Sequence, residues 1–107
     1  MEHLEITTTQ QPFGLRLSGE IDMASAPALE EALLVALAHG RPVTVEMKDV
    51  TFIDSSGLKV IVSTAAESTP PATLTVKDPS PAVRRVLEIF GMAQLPQIRV
   101  VGDELDG

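Results

Sequence analysis

Residues 43–63 read VTVEMKDVTFIDSSGLKVIVS, and two periodicities meet inside this stretch. Val43, Val45 and Met47 alternate with Thr44 and Glu46, the two-residue period of a half-buried strand. Lys48 and Asp49 break the alternation. Leu58, Ile61, Val62 and Ala65 then fall at i, i+3, i+4 and i+7, one face of a helix. Between them lies Phe52-Ile53-Asp54-Ser55-Ser56-Gly57, with small hydroxyl and carboxyl side chains where a helix N-cap belongs. The spacing predicts a strand over 43–47 and a helix from the turn to about Glu67. A strand feeding a helix through a polar turn sets that turn at the C-terminal edge of a sheet. Functional groups of α/β folds collect at that edge.

Upstream, Leu4 to Thr9 reads as a strand, and Gln10-Gln11-Pro12 as a turn. In Phe13 to Ser18, Phe13, Leu15 and Leu17 alternate with Gly14, Arg16 and Ser18. Two strands joined so closely predict an antiparallel hairpin, which Gly19-Glu20-Ile21-Asp22 ends. Ser25 is placed to cap a helix, and Pro27 falls in its first turn, where a missing N–H costs nothing. Leu29, Leu33, Ala36 and Leu37 form the buried stripe of that helix. Glu30 and Glu31 lie toward its positive end, and Gly40 is its expected C′ residue.

Downstream, Ser68-Thr69-Pro70-Pro71 is a loop and Thr73 to Lys77 a strand with Leu74 and Val76 inward. Ser80 caps a third helix that opens on Pro81. Val83, Val86, Leu87 and Phe90 make its inner face, and Gly91 ends it. Gln97 to Val101 is a last strand, set at an edge by Pro96. The acidic tail, residues 102–107, reads as frayed. The order ββαβαβαβ predicts one α/β domain over residues 1–107. Its sheet is mixed but mostly parallel, with an antiparallel N-terminal hairpin and helices packed on it.

Composition narrows the function. Fifteen acidic residues against eight basic ones leave a net charge of −7, which argues against nucleic-acid binding and an anionic membrane surface. Three Phe and no Trp or Tyr offer little for base stacking and demand an aliphatic core. Without cysteine there is no disulfide, thiolate metal site or Cys nucleophile, which suits a reducing cytoplasm. The start, MEHLEITTTQ, lacks the basic and apolar regions of a signal peptide, and no apolar run is long enough for membrane insertion. No cofactor loop or metal-ligand spacing is present.

The Asp54-Ser55-Ser56-Gly57 turn is the strongest candidate for chemistry. If Ser55 caps the helix, its hydroxyl lies beside unpaired N–H groups that favour an anion, as on phosphorylation. The alternative is purely structural, with Asp54 and Ser55 capping and Gly57 allowing close packing. An enzyme would need a base for the serine, yet His3 and His39 stand at no recognisable spacing, and the order DSSG is not a nucleophile elbow. Glu20, Asp22, Asp49 and Asp54 fall at predicted strand ends and would make that edge acidic. Lys59, four residues after Ser55, is the nearby cation.

The run from Gly19-Glu20-Ile21-Asp22 through D-V-x-F-I-D-S-S-G-L to Pro79-Ser80-Pro81 and Phe90-Gly91 resembles the STAS domain of bacterial anti-sigma factor antagonists. The resemblance covers about Leu4 to Val101. It implies a mixed sheet with helices mainly on one face, and a non-enzymatic regulator of transcription. Such a regulator binds an ATP-using serine-kinase anti-sigma factor when unphosphorylated, and so frees a sigma factor. It further implies phosphorylation at Ser55, the first serine after the aspartate, with a serine phosphatase as a further candidate partner. Docking is implied for Asp22, Met23, Asp54, Ser56, Gly57, Leu58 and Lys59. Lys59 stands where many members carry a small residue. Other members of this family serve stress-signalling assemblies or are accessory subunits of lipid-transport ATPases, which is the alternative reading.

Overall fold

The computed structural model describes residues 3–91 and 98–102. The elements run β1 (Glu5–Gln10), β2 (Phe13–Ile21), α1 (Ala26–Leu37), β3 (Val43–Ile53), α2 (Ser55–Glu67), β4 (Leu74–Lys77), α3 (Pro81–Ile89) and β5 (Ile98–Val101). They form one five-stranded sheet in the order β1-β2-β3-β4-β5. The β1–β2 hairpin is antiparallel and every other pair is parallel, as the alternation of strands and helices requires. β5 is an edge strand; Gln97 and Pro96 of the expected last strand, and the tail beyond 102, lie outside the described residues.

Register explains why one face of the sheet is dry. Leu15 stands opposite Val45, Val45 opposite Val76, Val43 opposite Leu74, and Leu74 opposite Ile98. All six are buried, and with Leu17 and Met47 they form the floor on which Leu29, Leu33, Ile61, Ala65, Val83 and Leu87 of the helices pack. The opposite face carries Arg16, Glu46 and Lys77 in a row across three strands. There Arg16 Nε donates to Glu46 Oε1 at 3.0 Å, and Lys77 Nζ lies 3.9 Å from Glu46 Oε2. Among the described residues no helix is long and apolar enough to cross a membrane.

β3 is longer than its alternation suggests, and this is the main correction to the expected elements. It does not stop at Met47 but runs to Ile53, with β2 alongside as far as Ile21. The pairing slips between Arg16 and Ser18, and again between Gly19 and Glu20, so β3 carries an extra residue at each place. Each bulge resets the period, and the buried positions become Val43, Val45, Met47, Val50 and Ile53. Lys48 and Asp49 mark the first bulge, not the end of the strand. Asp49 consequently pairs with Ser18 inside the sheet, and does not join Asp22 and Asp54 in the loops at its edge.

Three details of the helices also differ. Ser25 makes no side-chain cap for α1; its hydroxyl turns back to Glu20 O and Asp22 O. Glu30 and Glu31 miss the first turn, which holds no acidic residue, and Gly40 (φ 73°) comes two residues after the Ala38 C-cap. Phe90, expected on the inner face of α3, is 62% exposed. It occupies the C-cap after the last turn and so escapes the stripe of Val83 and Leu87.

Candidate functional site

Asp54, not Ser55, caps α2. Its backbone is extended (φ −107°, ψ −173°), and its Oδ1 accepts from Ser56 N at 2.9 Å and Gly57 N at 3.2 Å. The Ser56 hydroxyl donates to the same oxygen at 2.5 Å. A carboxylate outcompetes a neighbouring hydroxyl here because it brings a full negative charge to the positive end of the helix dipole. These bonds hold the Asp54 carboxyl below its ordinary value of 3.8, the Ser56 hydroxyl contributing most. Partial burial pulls the other way but by less, and the N–H groups of Gly57, Ser56 and Met23 add to the lowering.

Ser55 is therefore the first helical residue. It is exposed, and its hydroxyl makes no hydrogen bond among the described residues. The expected nest of unpaired N–H groups beside it is already occupied by Asp54. His39 packs edge-to-face on Phe13 at the start of β2, whereas Ser55 follows the end of β3, so the two lie at opposite ends of parallel strands. His3 lies beside Gly19 near the other end of β2. No group of three or more potential metal ligands occurs among the described residues.

The turn after β2 sits against this one. Asp54 N donates to Ile21 O at 3.1 Å, stitching the two strand ends together. One residue on, Asp22 Oδ1 accepts from Ala24 N at 3.0 Å, Ser25 N at 3.1 Å and Ser25 Oγ at 3.2 Å. Asp22 N in turn donates to Ser25 Oγ at 2.9 Å. This knot fixes the loop and leaves Met23 at its tip, 77% exposed.

Of the residues named from sequence, Asp22, Met23, Asp54, Ser55, Ser56 and Lys59 come to the surface at one edge. Gly57 and Leu58 do not. Both are buried, Gly57 because α2 packs directly on Ile21 and Ile53, and Leu58 because it belongs to the core. Gly57 thereby sets the height of α2 above the sheet. Phe90 was missed. It lines a groove of about 320 Å³ along α2 together with Ser55, Leu58, Lys59, Val62 and Ser63. An aromatic at the very end of an amphipathic stripe, next to a helix-ending glycine, was the available signal.

Comparison with known proteins agrees with this architecture. A family model described as "Mlab, STAS domain" matches residues 4–101. An anti-sigma-B factor antagonist of Staphylococcus aureus is 30% identical over 98 residues, which cover 90% of this chain and 91% of that one. The anti-sigma-B factor antagonist of Bacillus subtilis is 34% identical over 62 residues, 58% of this chain and 57% of the relative's length. The crystal structure of an anti-sigma factor antagonist from Mycobacterium paratuberculosis superposes with a TM-score of 0.74 at 27% identity, covering 92% of this chain and 86% of that one. The chain belongs to the STAS domain family, and these relatives, in sequence and in fold, are described as anti-sigma factor antagonists.

Proposed function

We propose that this protein is an anti-sigma factor antagonist, a non-catalytic cytoplasmic switch set by phosphorylation of Ser55. Unmodified, it binds a serine-kinase anti-sigma factor and so releases a sigma factor. The kinase ends the contact by modifying it. The Ser55 oxygen forms a bond to the γ-phosphorus of ATP, the bond to ADP breaks, and the hydroxyl proton leaves to a base of the kinase. A serine phosphatase would reset the switch.

One observation carries this reading: Ser55 is exposed and unbonded at the first position of α2, on a helix start already capped by Asp54. A hydroxyl not needed for structure is available for modification. The test captures partners from the source cell with the Ser55→Ala protein, then incubates the captured kinase with ATP and the wild type. Intact mass is expected to rise by one phosphate in the wild type and not in Ser55→Ala. Capture of a membrane ATPase, with no phosphate transferred, would favour a lipid-transport subunit instead.

A further inference from the structure

Ser55, Lys59 and Ser63 recur at i, i+4 and i+8 along one face of α2, with Leu58 and Val62 beside them. Phe90, the C-cap residue that ends α3, lines a groove of about 320 Å³ together with this face. Phe90 is 62% exposed and its neighbour Ile89 70% exposed, although Leu87 just before them is buried. Two large apolar side chains left in water at one helix end are an interaction signal rather than a scattered exposure. Among the described residues lining the groove, Lys59 is the one charged group.

From this geometry we infer that the groove between α2 and Phe90 is the second half of the kinase-docking surface. It takes an apolar side chain of the kinase against Phe90 and Val62, with a carboxylate of the kinase facing Lys59. The occupant follows from position. Ser55 itself lines the groove, so an enzyme whose active site takes the Ser55 hydroxyl must cover it. A rigid aromatic in a pocket that the partner desolvates is the kind of anchor that dominates interfaces. The inference rests on the reading of Ser55 as the kinase's target. It adds α3, an element that the DSSG turn does not include, to the determinants of partner choice.

The test is steady-state phosphorylation by the captured kinase with ATP, varying the concentration of this protein. Phe90→Gln is expected to raise KM roughly tenfold or more, with kcat unchanged, because anchor truncation weakens binding while Ser55 stays in place. Phe90→Leu, which keeps an apolar side chain, should restore most of the affinity. Lys59→Glu should raise KM and remove its salt dependence. Val35→Gln is the control: Val35 is also exposed, but it lines a different groove between α1 and the β1–β2 hairpin, and KM should not move. Melting temperatures of all four variants should match the wild type. If the wild type takes phosphate on Ser55 but neither Phe90→Gln nor Lys59→Glu changes KM, the groove inference falls and the switch stands. If the wild type takes no phosphate, both fall.

Discussion

Gly57 lies so close to Ile21 that a Cβ built on it would stand 2.4 Å from Ile21 Cγ2 and 3.0 Å from Ile53 Cγ1. The contact sets the height of the α2 start above the sheet, and with it the level at which Ser55 is presented. Gly57→Ala should therefore destabilise the protein. Better helix propensity returns at most about 1 kcal/mol, whereas forcing a methyl into a fully buried Ile costs about 1–3 kcal/mol. The urea midpoint should fall, with an unchanged slope. A stabilised variant would mean that Ile21 can repack freely.

Asp54 links stability to pH through its cap. Its folded-state pKa is depressed, so its contribution is fully present above the ordinary value of 3.8 and is lost as pH falls through the lower folded value. Asp54→Ala should cost about 1 kcal/mol at neutral pH, and Asp54→Asn less, because Asn also caps well. The stability gap between wild type and Asp54→Ala should stay constant from neutrality down to about the ordinary carboxyl value and narrow below it. Denaturation across the acid range checks this; a gap that widens in acid would contradict the cap.

Ser56, through its hydroxyl, is the largest of the influences on that carboxyl. Removing its hydroxyl in Ser56→Ala should move the Asp54 pKa up toward its ordinary value, readable by NMR titration of the carboxyl carbon. The same variant should still take phosphate at Ser55.

The strand-to-helix switch was legible because Val43-x-Val45-x-Met47 and Leu58-x-x-Ile61 carry two incompatible periods with only a polar turn between them. The last third of β3 was not. Two bulges shift Val50 and Ile53 out of the alternation, and bulges depend on pairing with β2, which local sequence does not display. Local sequence leaves open which of Asp54 and Ser55 caps the helix, for a related reason. Asp54 and Ser55 are both good caps in isolation, and the hydrogen bond from Asp54 N to Ile21 O, a contact across the sheet, holds Asp54 at the capping position. Burial of Gly57 and Leu58 likewise follows from the approach of α2 to Ile21 and Ile53, which only the assembled sheet fixes.

Charge alone should operate the switch in binding assays. Phosphate adds about −1.5 to −2 charges beside Asp54, and Asp22 faces the same edge. Burying that charge against a partner without a matched cation costs several kcal/mol, a loss of roughly a thousandfold in affinity. Ser55→Asp, with a single charge, should weaken kinase binding by less, and Ser55→Ala should bind as the unmodified protein does. Calorimetric titration distinguishes these outcomes; equal affinities for the Asp and Ala variants would exclude charge as the operator.

The switch should work without refolding the domain. A phosphate on Ser55 is not required to satisfy the helix start, since Asp54 Oδ1 already holds the N–H groups of Ser56 and Gly57. Nor is Ser55 a partner in the bond from Asp54 N to Ile21 O or in the Asp22–Ser25 knot. The modified protein therefore keeps its frame and presents a new dianion on an unchanged edge. Backbone NMR shifts between the two forms should change in residues 20–25 and 52–62, with a smaller response at 89–91, where Phe90 shares the groove with Ser55. Shifts spreading through 81–87 and along β5 would show that phosphate rearranges α3 and its strand, and a refolding mechanism would replace the local one.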